Sequence, residues 1–506
     1  MNAGSWALAV ASSLACSASA LAQCPGTVTF QHLVGTQLIE RGEQVVQTRD
    51  GGYITIGSRQ LTPNNSVVWI VRYDRTGATL WERHIDDPAA AASDRGFSIV
   101  QTFDDGFAFT ADSTALCGGL LCLNIGKLDA AGNFLWGRVY FGDASATPFR
   151  GSRIREAGNR DLVVVSRYNT QAGATLPSII RTTALGSPVF AWGYSLSAAP
   201  QTTQGGLLDF RFVANGTPNP DLLAVGWIAR STTAPRDVFL LRTNVLGNVI
   251  NAFTYNEATP LNLVGNGIDF LPAGEIALSA RNAATTSESY SFRLTPAGAP
   301  ISMVQYLQFD VANASLHTAG PEIWFAGTTL PLTGASSEMA LVRAGTPGNV
   351  LSATAYGGSL NEVAFSLAPA DADSWTLTGS TRSFTAVQDD LYLVKTNCAT
   401  RSGCNETPYQ QPWMPRAPRQ ANPPIERRGL QFANWIPNVR IVQSFNFELC
   451  LTCPADVNGD GVVDFFDFLD FAAAYSASAP SADFNGDGVI DFFDFLDFAA
   501  FYSSGC

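Results

Sequence analysis

The chain has 506 residues, of which 46% are hydrophobic and only 14% charged, so it is long enough for two or more domains and a large core. Its formal net charge is −13, and because ten aspartates and no basic residues lie between positions 453 and 506, the rest of the chain is close to neutral. This distribution excludes the basic patch that a nucleic-acid-binding protein needs, and no apolar run reaches the ~20 residues of a membrane-spanning helix.

The N-terminus is apolar and rich in small residues between Trp6 and Leu21. Ala20-Leu21-Ala22 before Gln23 is typical of a signal-peptidase cleavage site, although no Lys or Arg precedes the apolar stretch. The sequence therefore predicts a signal peptide over residues 1–22 and a secreted, cell-surface-associated protein. The alternative is a disordered, apolar N-terminus.

Export would place the cysteines in an oxidising compartment, where an even number suggests disulfides. Eight remain once Cys16 leaves with the signal peptide: Cys24, Cys117, Cys122, Cys398, Cys404, Cys450, Cys453 and Cys506. Position suggests three pairings: Cys117 with Cys122, Cys398 with Cys404, and Cys453 with Cys506. The sequence does not fix this connectivity, and the C-x-x-C spacing at 450–453 lacks the second pair of ligands that a zinc site needs.

Residues 23–398 contain a weak repeat in which a bulky strand residue is followed four places later by a small one. These pairs are Tyr53…Gly57, Phe107…Ala111, Leu162…Ser166, Leu222…Gly226, Ile276…Ala280, Ile323…Gly327 and Trp375…Gly379. The next predicted strand carries one basic residue, and in the first six copies a glycine follows five residues later. The basic residues are Arg72, Lys127, Arg181, Arg242, Arg293, Arg343 and Lys395.

Each copy contains about four short alternating strands separated by glycine turns, a pattern that predicts an all-β fold. A four-stranded sheet cannot bury both faces alone, whereas copies stacked radially can, so we predict a seven-bladed β-propeller over residues 23–398. Residues 27–34 are predicted to supply the missing strand of blade seven and close the ring. An open β-solenoid is the alternative. The D-G-G-Y-x-x-x-G and D-x-x-G-x-x-x-W patterns of the first copies resemble those of secreted bacterial propeller repeat proteins.

Residues 399–452 form a Pro/Arg-rich connector, with seven prolines between Pro408 and Pro437. This composition favours an extended, semi-rigid chain. Its large apolar residues can still pack on a blade, and residues 438–449 can form one more strand. The apolar residues concerned are Trp413, Phe432 and Trp435.

Two twelve-residue segments, starting at Asp456 and Asp483, repeat with a period of 27 residues. Positions 1, 3, 5, 9 and 12 are Asp, Asn, Asp, Asp and Asp, position 7 offers a backbone carbonyl, and glycine stands at position 6, where the chain must turn. Ca²⁺ takes 6–8 oxygen ligands from such loops, so the sequence predicts two bound Ca²⁺ ions. The predicted ligands are Asp456, Asn458, Asp460, Val462, Asp464, Asp467, Asp483, Asn485, Asp487, Val489, Asp491 and Asp494.

Each loop precedes a predicted helix but lacks the entering helix of an ordinary EF-hand, and position 12 is Asp instead of Glu. Over residues 453–506 this tandem arrangement resembles the dockerin family, a small α-helical EF-hand pair. The Gly505-Cys506 ending is similar to that of bacterial dockerin-anchored proteins that finish in Gly-Cys. The resemblance implies calcium-dependent docking to a cohesin-like surface partner, and implies nothing about the rest of the chain.

Loop positions 10 and 11, where dockerins often carry recognition residues, are Phe465 and Phe466 in the first copy and Phe492 and Phe493 in the second. A module of about 55 residues cannot bury all of its aromatic side chains, and an exposed apolar patch usually marks an interface. We therefore predict that these four residues bind the partner. The alternative is that they pack against the same molecule.

The sequence contains no nucleophile elbow, zinc-protease or P-loop motif. The only histidines are His32, His84 and His317; His32 and His84 lie in predicted outer strands and are interpreted as ordinary surface or half-buried residues. Three acidic pairs could in principle serve a glycosidase, but turn chemistry explains them more simply. These pairs are Asp86-Asp87, Asp104-Asp105 and Asp389-Asp390. The seven basic residues are predicted to bind a carboxylate or carbonyl of a neighbouring blade, with an anion-binding ring in the channel as the alternative.

These observations favour a secreted docking protein that displays a non-enzymatic propeller, which binds a glycan or a protein. The first alternative is an extracellular polysaccharide-degrading hydrolase or lyase, anchored in the same way. The second is a structural surface-layer component.

Overall fold

The computed structural model describes the chain from residue 28 onward, apart from several short segments, so the predicted signal peptide lies outside the described residues. The excluded segments are 87–92, 118–119, 142–148, 218, 286, 331–335, 347, 371–373, 385, 387, 435–436, 443, 453, 459–462, 485–488 and 505–506. In the part of the chain that is described, no helix is both long enough and apolar enough to cross a membrane.

The described chain is dominated by antiparallel β-strands, which confirms the all-β prediction, and consecutive strands group into units. A lone first strand, β1 (Thr29–Gly35), is followed by unit 1, β2 (Glu40–Gln47), β3 (Tyr53–Thr62), β4 (Asn65–Tyr73) and β5 (Thr79–Asp86); unit 2, β6 (Asp94–Gln101), β7 (Phe107–Cys117), β8 (Leu120–Leu128) and β9 (Phe134–Phe141); and unit 3, β10 (Phe149–Glu156), β11 (Leu162–Asn169), β12 (Thr175–Thr182) and β13 (Pro188–Leu196). Then come unit 4, β14 (Gln204–Val213), β15 (Asp221–Ala229), β16 (Asp237–Thr243) and β17 (Val249–Asn256); unit 5, β18 (Leu263–Phe270), β19 (Ile276–Asn282), β20 (Glu288–Leu294) and β21 (Pro300–Leu307); unit 6, β22 (Phe309–Ala319), β23 (Glu322–Thr329), β24 (Glu338–Ala344) and β25 (Val350–Tyr356); and unit 7, β26 (Glu362–Pro369), β27 (Trp375–Thr381) and β28 (Asp390–Thr396).

Unit 7 has only three consecutive strands, and β1 from the other end of the described chain is its fourth. Strand β1 pairs antiparallel with β28, with Phe30 opposite Lys395 and Val34 opposite Leu391. The pairing places β1 where the sequence predicted the strand at residues 27–34. Units 3 and 4 are joined into one ten-stranded sheet by a single parallel pairing between Thr175 and Gln204.

The small residue of the repeat lies opposite a β-bulge in the first strand of its own unit. In unit 1 the register shifts between Gly42 and Gln44, beside Gly57, and a Cβ on Gly57 would lie 1.7 Å from the Arg41 carbonyl oxygen. In unit 4 a Cβ on Gly226 would lie 1.9 Å from the Gly206 carbonyl oxygen. In these units the small residue is required because the bulge pushes the first strand against the second.

The repeated glycine that follows the basic residue receives an aromatic side chain from the preceding unit. Gly132 lies against Trp81, and Gly186 lies against Trp136. Tyr194 on the fourth strand of unit 3 donates its hydroxyl to the Gly247 carbonyl of unit 4, at 2.9 Å. These contacts bury the outer part of each unit against the next, and they explain why the aromatic strand and the glycine turn recur together.

Residues 399–452 contain seven short strands that add a fifth strand to the outer edge of the units in reverse order. They are β29 (Glu406–Pro408) on β25, β30 (Trp413–Arg416) on β21, β31 (Arg419–Ala421) on β17, β32 (Ile425–Gly429) on β13, β33 (Gln431–Asn434) on β9, β34 (Asn438–Val442) on β5 and β35 (Phe445–Thr452) on β1. We call this segment the belt. The belt differs from the predicted connector because its backbone groups pair with sheet edges that would otherwise be open. Pairing through the backbone leaves no hydrophobic pattern in the sequence, so the belt could not be predicted from it.

Arginines of the belt bind side chains of the units that they cross. Arg416 Nε donates to Gln305 Oε1 at 2.7 Å and lies 3.4 Å from Glu257 Oε1. The Arg427 guanidinium lies 4.6 Å from the ring centroid of Trp192. These contacts give the arginine-rich composition of residues 399–452 a structural role.

Candidate functional site

The last described segment contains two helices of nearly identical sequence, α1 (Phe465–Ser476) and α2 (Phe492–Ser504), and a short 3₁₀ turn at Pro480–Ala482. Asp464 is the N-cap of α1, and its Oδ1 accepts from the Phe466 N–H at 2.8 Å. Asp491 accepts from the Phe493 N–H at the same distance. Both helices therefore begin with the side-chain cap that satisfies free N–H groups at a helix start.

The aspartates at loop position 12 are fully buried, although they belong to an acidic segment. Asp467 accepts from the Asn458 N–H at 3.1 Å and from the Asp464 N–H at 2.8 Å. Asp494 accepts in the same way from the N–H groups of Phe484 and Asp491, each at 2.7 Å. Burial alone would raise the pKa of the Asp467 carboxyl, but these backbone donors outweigh it and lower the pKa. Both carboxylates thus fold the loop back onto the start of its helix.

Eight of the twelve predicted calcium ligands lie among the described residues. The four others, at positions 5 and 7 of the first loop and 3 and 5 of the second, lie outside them: Asp460, Val462, Asn485 and Asp487. Among the described residues no three His, Cys, Asp or Glu side chains form a group that could hold a metal. Carboxylate oxygens such as those of Asp467 and Asp494 are the type of ligand that a hard cation takes. Calcium binding stays a prediction.

The aromatic residues of the two helices divide between an internal core and an exposed surface. Phe471 and Phe498 are fully buried and stacked, with ring centroids 4.0 Å apart. The four residues predicted to bind a partner are between 62% and 64% exposed with the rest of the described chain in place. They are Phe465, Phe466, Phe492 and Phe493, which we call the phenylalanine patch.

The six basic repeat residues whose ion pairs the structure describes bind a carboxylate of their own unit. Arg242 lies 2.8 Å from Asp221, and Lys127 lies 2.9 Å from Asp104. The same contact recurs in the pairs Arg72–Asp50, Arg181–Asp161, Arg293–Glu275 and Arg343–Glu322. These residues therefore form structural ion pairs, but the carboxylate belongs to the same unit and not to a neighbouring one. Arg181 also donates to the Val245 carbonyl of the next unit at 3.0 Å. Lys395 lies 5.5 Å from the ring centroid of Tyr53.

The acidic pairs considered for glycosidase chemistry are engaged by basic neighbours or are deeply buried. Asp104 and Asp105 lie near Lys127 and Arg49, Asp86 lies 3.8 Å from Arg440, and Asp87 lies outside the described residues. Asp389 lies 2.7 Å from Arg41. Asp390 is 4% exposed beside the fully buried Glu40, and burial and the Glu40 charge raise the pKa of Asp390 to about 7.

His32 and His84 occupy buried positions, and His317 is partly buried. His32 lies between the Asn446 side-chain oxygen of the belt, 2.7 Å from Nδ1, and the Thr76 carbonyl, 3.1 Å from Nε2. Burial and the charges of Arg59 and Arg440 lower the pKa of His84 to about 4. His32 and His84 therefore serve the packing of the strands.

A buried network of charges links the first strands of units 3 to 6. Arg155 and Arg211 lie 3.0 Å from opposite oxygens of Asp209, and Arg211 also lies 3.0 Å from Asp269. His317 lies 3.6 Å from Asp269 and 3.0 Å from the Leu367 carbonyl oxygen of unit 7. Although burial acts in the opposite direction, these cations hold the pKa of Asp209 and of Asp269 below its usual value.

This network was not predicted from the sequence, although one signal for it exists. Four of its members occupy equivalent positions in consecutive units, opposite residues of the second strand: Arg155 opposite Val163, Arg211 opposite Leu223, Asp269 opposite Ala277 and His317 opposite Trp324. The repeat unit changes from basic to acidic at that position, so a residue-by-residue alignment of the units would have shown charges that complement one another between neighbours. The network connects units 3 to 6 through ionisable side chains and reaches unit 7 through the contact between His317 and the Leu367 carbonyl.

No protein-family model and no curated protein sequence matches this chain. Solved structures with a distant likeness include the polysaccharide lyase Uly1 (10% identity, 72% of this chain and 91% of the lyase, TM-score 0.46). They also include a protein of unknown function from Dyadobacter fermentans DSM 18053 (10% identity, 63% and 99%, TM-score 0.41) and an α-L-arabinanase from Penicillium chrysogenum (9% identity, 62% and 97%, TM-score 0.35). At these TM-scores the likeness assigns neither a fold nor an activity to this chain.

Proposed function

We propose that this protein is a secreted docking protein in which the C-terminal helix pair attaches a ligand-binding propeller to a cohesin-like or other surface partner in a calcium-dependent way. The observation that carries the proposal is the phenylalanine patch, because four large apolar side chains at repeat-equivalent positions remain more than half exposed. Transfer of such side chains from water into an interface is strongly favourable, at roughly 25 cal/mol per Å² of apolar surface.

The internal core of the helix pair supports docking over self-packing. Phe471 and Phe498 stack against each other, and Phe484 packs edge-on against both. These rings belong to one hydrophobic cluster with Phe30 of β1 and Tyr53 of unit 1, and this cluster does not include the phenylalanine patch. The equivalent ring pairs Phe465–Phe468 and Phe492–Phe495 are both stacked, at 6.1 Å and 6.2 Å, so the two copies present the same surface.

Calcium would link the acidic loops to this surface. The twelve loop residues named above would hold two ions, and each ion would neutralise the clustered carboxylates of its loop. Asp464 and Asp491 cap the helices, and Asp467 and Asp494 anchor the loops to the helix starts. An ordered loop therefore fixes the first helical turn, which carries the phenylalanine patch.

For the rest of the chain we propose a closed, seven-bladed propeller, with residues 23–398 as its blades, 399–452 as the belt and 453–506 as the docking module. Contacts between unit 7 and unit 1 support closure. The Glu40 N–H donates to the Asp389 carbonyl at 2.6 Å, and Arg41 lies 2.7 Å from the Asp389 carboxylate. His32 and Phe30 of β1 lie against Gly77 of unit 1, in the role that Trp81 has against Gly132. An open solenoid would leave these contacts unmade.

We propose that this propeller binds a glycan or a protein without turning it over. The described acidic residues considered for catalysis form ion pairs or are buried, which supports binding without turnover over the alternative of an anchored polysaccharide-degrading enzyme. A structural surface-layer component is the remaining alternative. Cleavage of any polysaccharide by the purified chain would favour the enzyme.

Docking is tested by immobilising the mature chain and applying surface proteins of the producing cell with Ca²⁺, then with a chelator. We expect a partner that is retained with Ca²⁺ and released by chelation, and that is lost when Phe466→Ala and Phe493→Ala are combined. Leu185→Ala, at another exposed apolar side chain, is the control and should retain the partner. Retention that ignores both the chelator and the double variant contradicts the proposal.

The calcium part is measured separately by titration calorimetry. Two saturable sites are expected in the native chain, and Asp460→Ala combined with Asp487→Ala should remove both. Asp470→Asn combined with Asp497→Asn changes two exposed helical aspartates outside the loops and should keep the stoichiometry. Equal calcium uptake by both double variants would show that the loops are misassigned.

A further inference from the structure

Two arginines, Arg236 and Arg281, lie where units 4 and 5 meet. The Leu263 N–H of unit 5 donates to the Arg236 carbonyl at 2.9 Å, and Val264, directly opposite Arg281, packs in one buried cluster with Trp227. Arg236 precedes β16, and its guanidinium lies 4.3 Å from the ring centroid of Trp227, which is 6% exposed. Arg281 lies on β19 of the next unit. Burial and the charge of Arg281 both lower the pKa of Arg236.

Neither guanidinium has a carboxylate within salt-bridge distance in the part of the chain that the structure describes. Arg281 Nε is shielded from solvent and has no hydrogen-bond partner among those residues. Arg242 of the same unit as Arg236 differs, since it lies 2.8 Å from Asp221. A half-buried pair of positive charges without a counter-charge is costly to maintain, so this pair requires an explanation.

Among the described residues, the acids nearest the pair form no salt bridge with either guanidinium. Asp310 of unit 6 feels the charge of Arg281, but burial outweighs that charge and raises the pKa of Asp310. Asp237 accepts from Asn256 at 2.7 Å, and its carboxylate lies 4.0 Å from Arg419 of the belt. Arg230, in the same loop as Arg236, is exposed and adds a third positive charge nearby.

Register places Arg281 in a row that recurs along the units. Arg281 is directly opposite Val264, and Trp227 is directly opposite Gly206. The equivalent first-strand residues of units 1 and 2 are Arg41 and Arg95, and directly opposite residues share a face of the sheet. Arg41 and Arg95 are neutralised by Asp389 and Glu43. In unit 5 the row instead presents Arg281, which forms no salt bridge with a carboxylate among the described residues.

We propose that Arg236 and Arg281, supported by Trp227, bind one carboxylate or sulfate group of an acidic polysaccharide. This inference rests on the proposed function of the propeller as a glycan-binding body and names the class of glycan. Guanidinium groups match the two oxygens of a carboxylate or sulfate, and bound acid would relieve the repulsion between the two arginines. A nucleic acid fits less well, because its regularly spaced phosphates need an extended basic surface, whereas this site is one pair within a nearly neutral body.

Binding to the full-length chain is measured by titration calorimetry with four probes: tetragalacturonate, dextran sulfate, neutral dextran and a poly-glutamate peptide. We expect at least one acidic glycan to bind at least tenfold more tightly than neutral dextran. The carboxylated and sulfated probes distinguish the two sources of negative charge. The same titrations at raised salt should show weaker binding, since the contact is electrostatic.

Arg236→Ala and Arg281→Ala should each weaken binding of that acidic glycan at least tenfold, and Arg281→Lys should retain part of the affinity. Arg75→Ala is the matched control, because Arg75 is an exposed arginine in a turn of unit 1 and should leave binding unchanged. Thermal unfolding of each variant separates loss of binding from loss of folding, since Arg236 packs on Trp227.

The inference is overturned if neither acidic glycan binds, if Arg281→Ala binds as tightly as the native chain, or if poly-glutamate binds more tightly than both glycans. Binding of neutral dextran alone would agree with a glycan-binding propeller but would contradict a site specific for acidic glycans. If none of the sugars binds, the proposal that the propeller binds a glycan is also contradicted. The docking proposal is tested separately, by the experiment on the phenylalanine patch.

Discussion

Individual aspartates in this protein have different roles because their neighbours differ. Asp467 is buried at a helix start and accepts two backbone N–H groups, which lowers its pKa. Asp104 is exposed and lies 2.9 Å from Lys127. Asp390 is buried beside Glu40, and its pKa rises to about 7. The sequence identified all three as acidic residues in characteristic motifs, but the protonation of Asp390 depends on Glu40, which is 350 residues away in the chain.

The raised pKa of Asp390 predicts a stability that falls as the pH rises. An unfolded aspartate has a pKa near 4, so between about pH 4 and pH 7 the folded chain holds a proton that the unfolded chain has released. Over this range the free energy of unfolding decreases by up to about 1.4 kcal/mol per pH unit. Asp390→Asn mimics the protonated group and should be more stable than the native chain by about 1–3 kcal/mol at pH 8, with the gain vanishing near pH 4.

Thermal unfolding between pH 4 and pH 8 measures this effect. Asp105→Asn, at an exposed turn residue, is the control and should change the pH profile little. Glu40 also has a raised pKa, so some pH dependence remains in the variant. A gain in stability that is the same at every pH would show that Asp390 is already ionised at neutral pH.

Each repeat contains a pair of strands with a bulge in the first strand. The second strand carries a small residue opposite the bulge, because a larger side chain would collide with the backbone there. Gly226 lies opposite the bulge of β14, close to the Gly206 carbonyl oxygen. The glycine of the fourth-strand turn has a different requirement, because Gly247 adopts a φ of +74° and receives Trp192 of the preceding unit. The sequence showed both positions as conspicuous small residues, and the contacts reveal two separate physical reasons.

Gly226→Ala is expected to lower the free energy of unfolding by about 1–3 kcal/mol, because the added methyl group meets a carbonyl oxygen that the sheet holds in place. Gly429→Ala is the matched control. A Cβ at Gly429 has its nearest neighbour in Trp192 at 3.6 Å, which is ordinary contact. Urea-induced unfolding compares the two variants, and equal effects would mean that the bulge yields without cost.

At the scale of the whole molecule, the belt and β1 tie the two ends of the repeat region together. Strand β1 pairs with β28 on one side and with β35 on the other, so one sheet joins the first described strand, the last strand of the repeat region and the last strand of the belt. The belt crosses the remaining units in reverse order and covers an edge strand of each. Open sheet edges invite pairing with other chains, so the belt both stabilises the units and protects them from aggregation.

Truncation of the mature chain after residue 404 is therefore expected to lower the midpoint of thermal unfolding by about 5 °C or more and to promote aggregation. Truncation after residue 452 removes only the helix pair and should lower the midpoint less, because the belt strands stay paired although the hydrophobic cluster that the helix pair shares with β1 is uncovered. Scanning calorimetry and light scattering compare the two. Equal stability of both truncated chains would show that the belt contributes little.

The sequence by itself determined the period and strand composition of the repeat, the position of the extra N-terminal strand, and the duplicated acidic loops with their phenylalanines. These features depend on local alternation, turn residues and spacing, which are visible along the chain. Only the tertiary structure decided the path of the belt, the Arg155–Asp209–Arg211–Asp269 network and the meeting of Arg236 with Arg281. Such contacts join residues that are distant in sequence, and their energies come from edge pairing and charge complementarity, which have no periodic signature in a single chain.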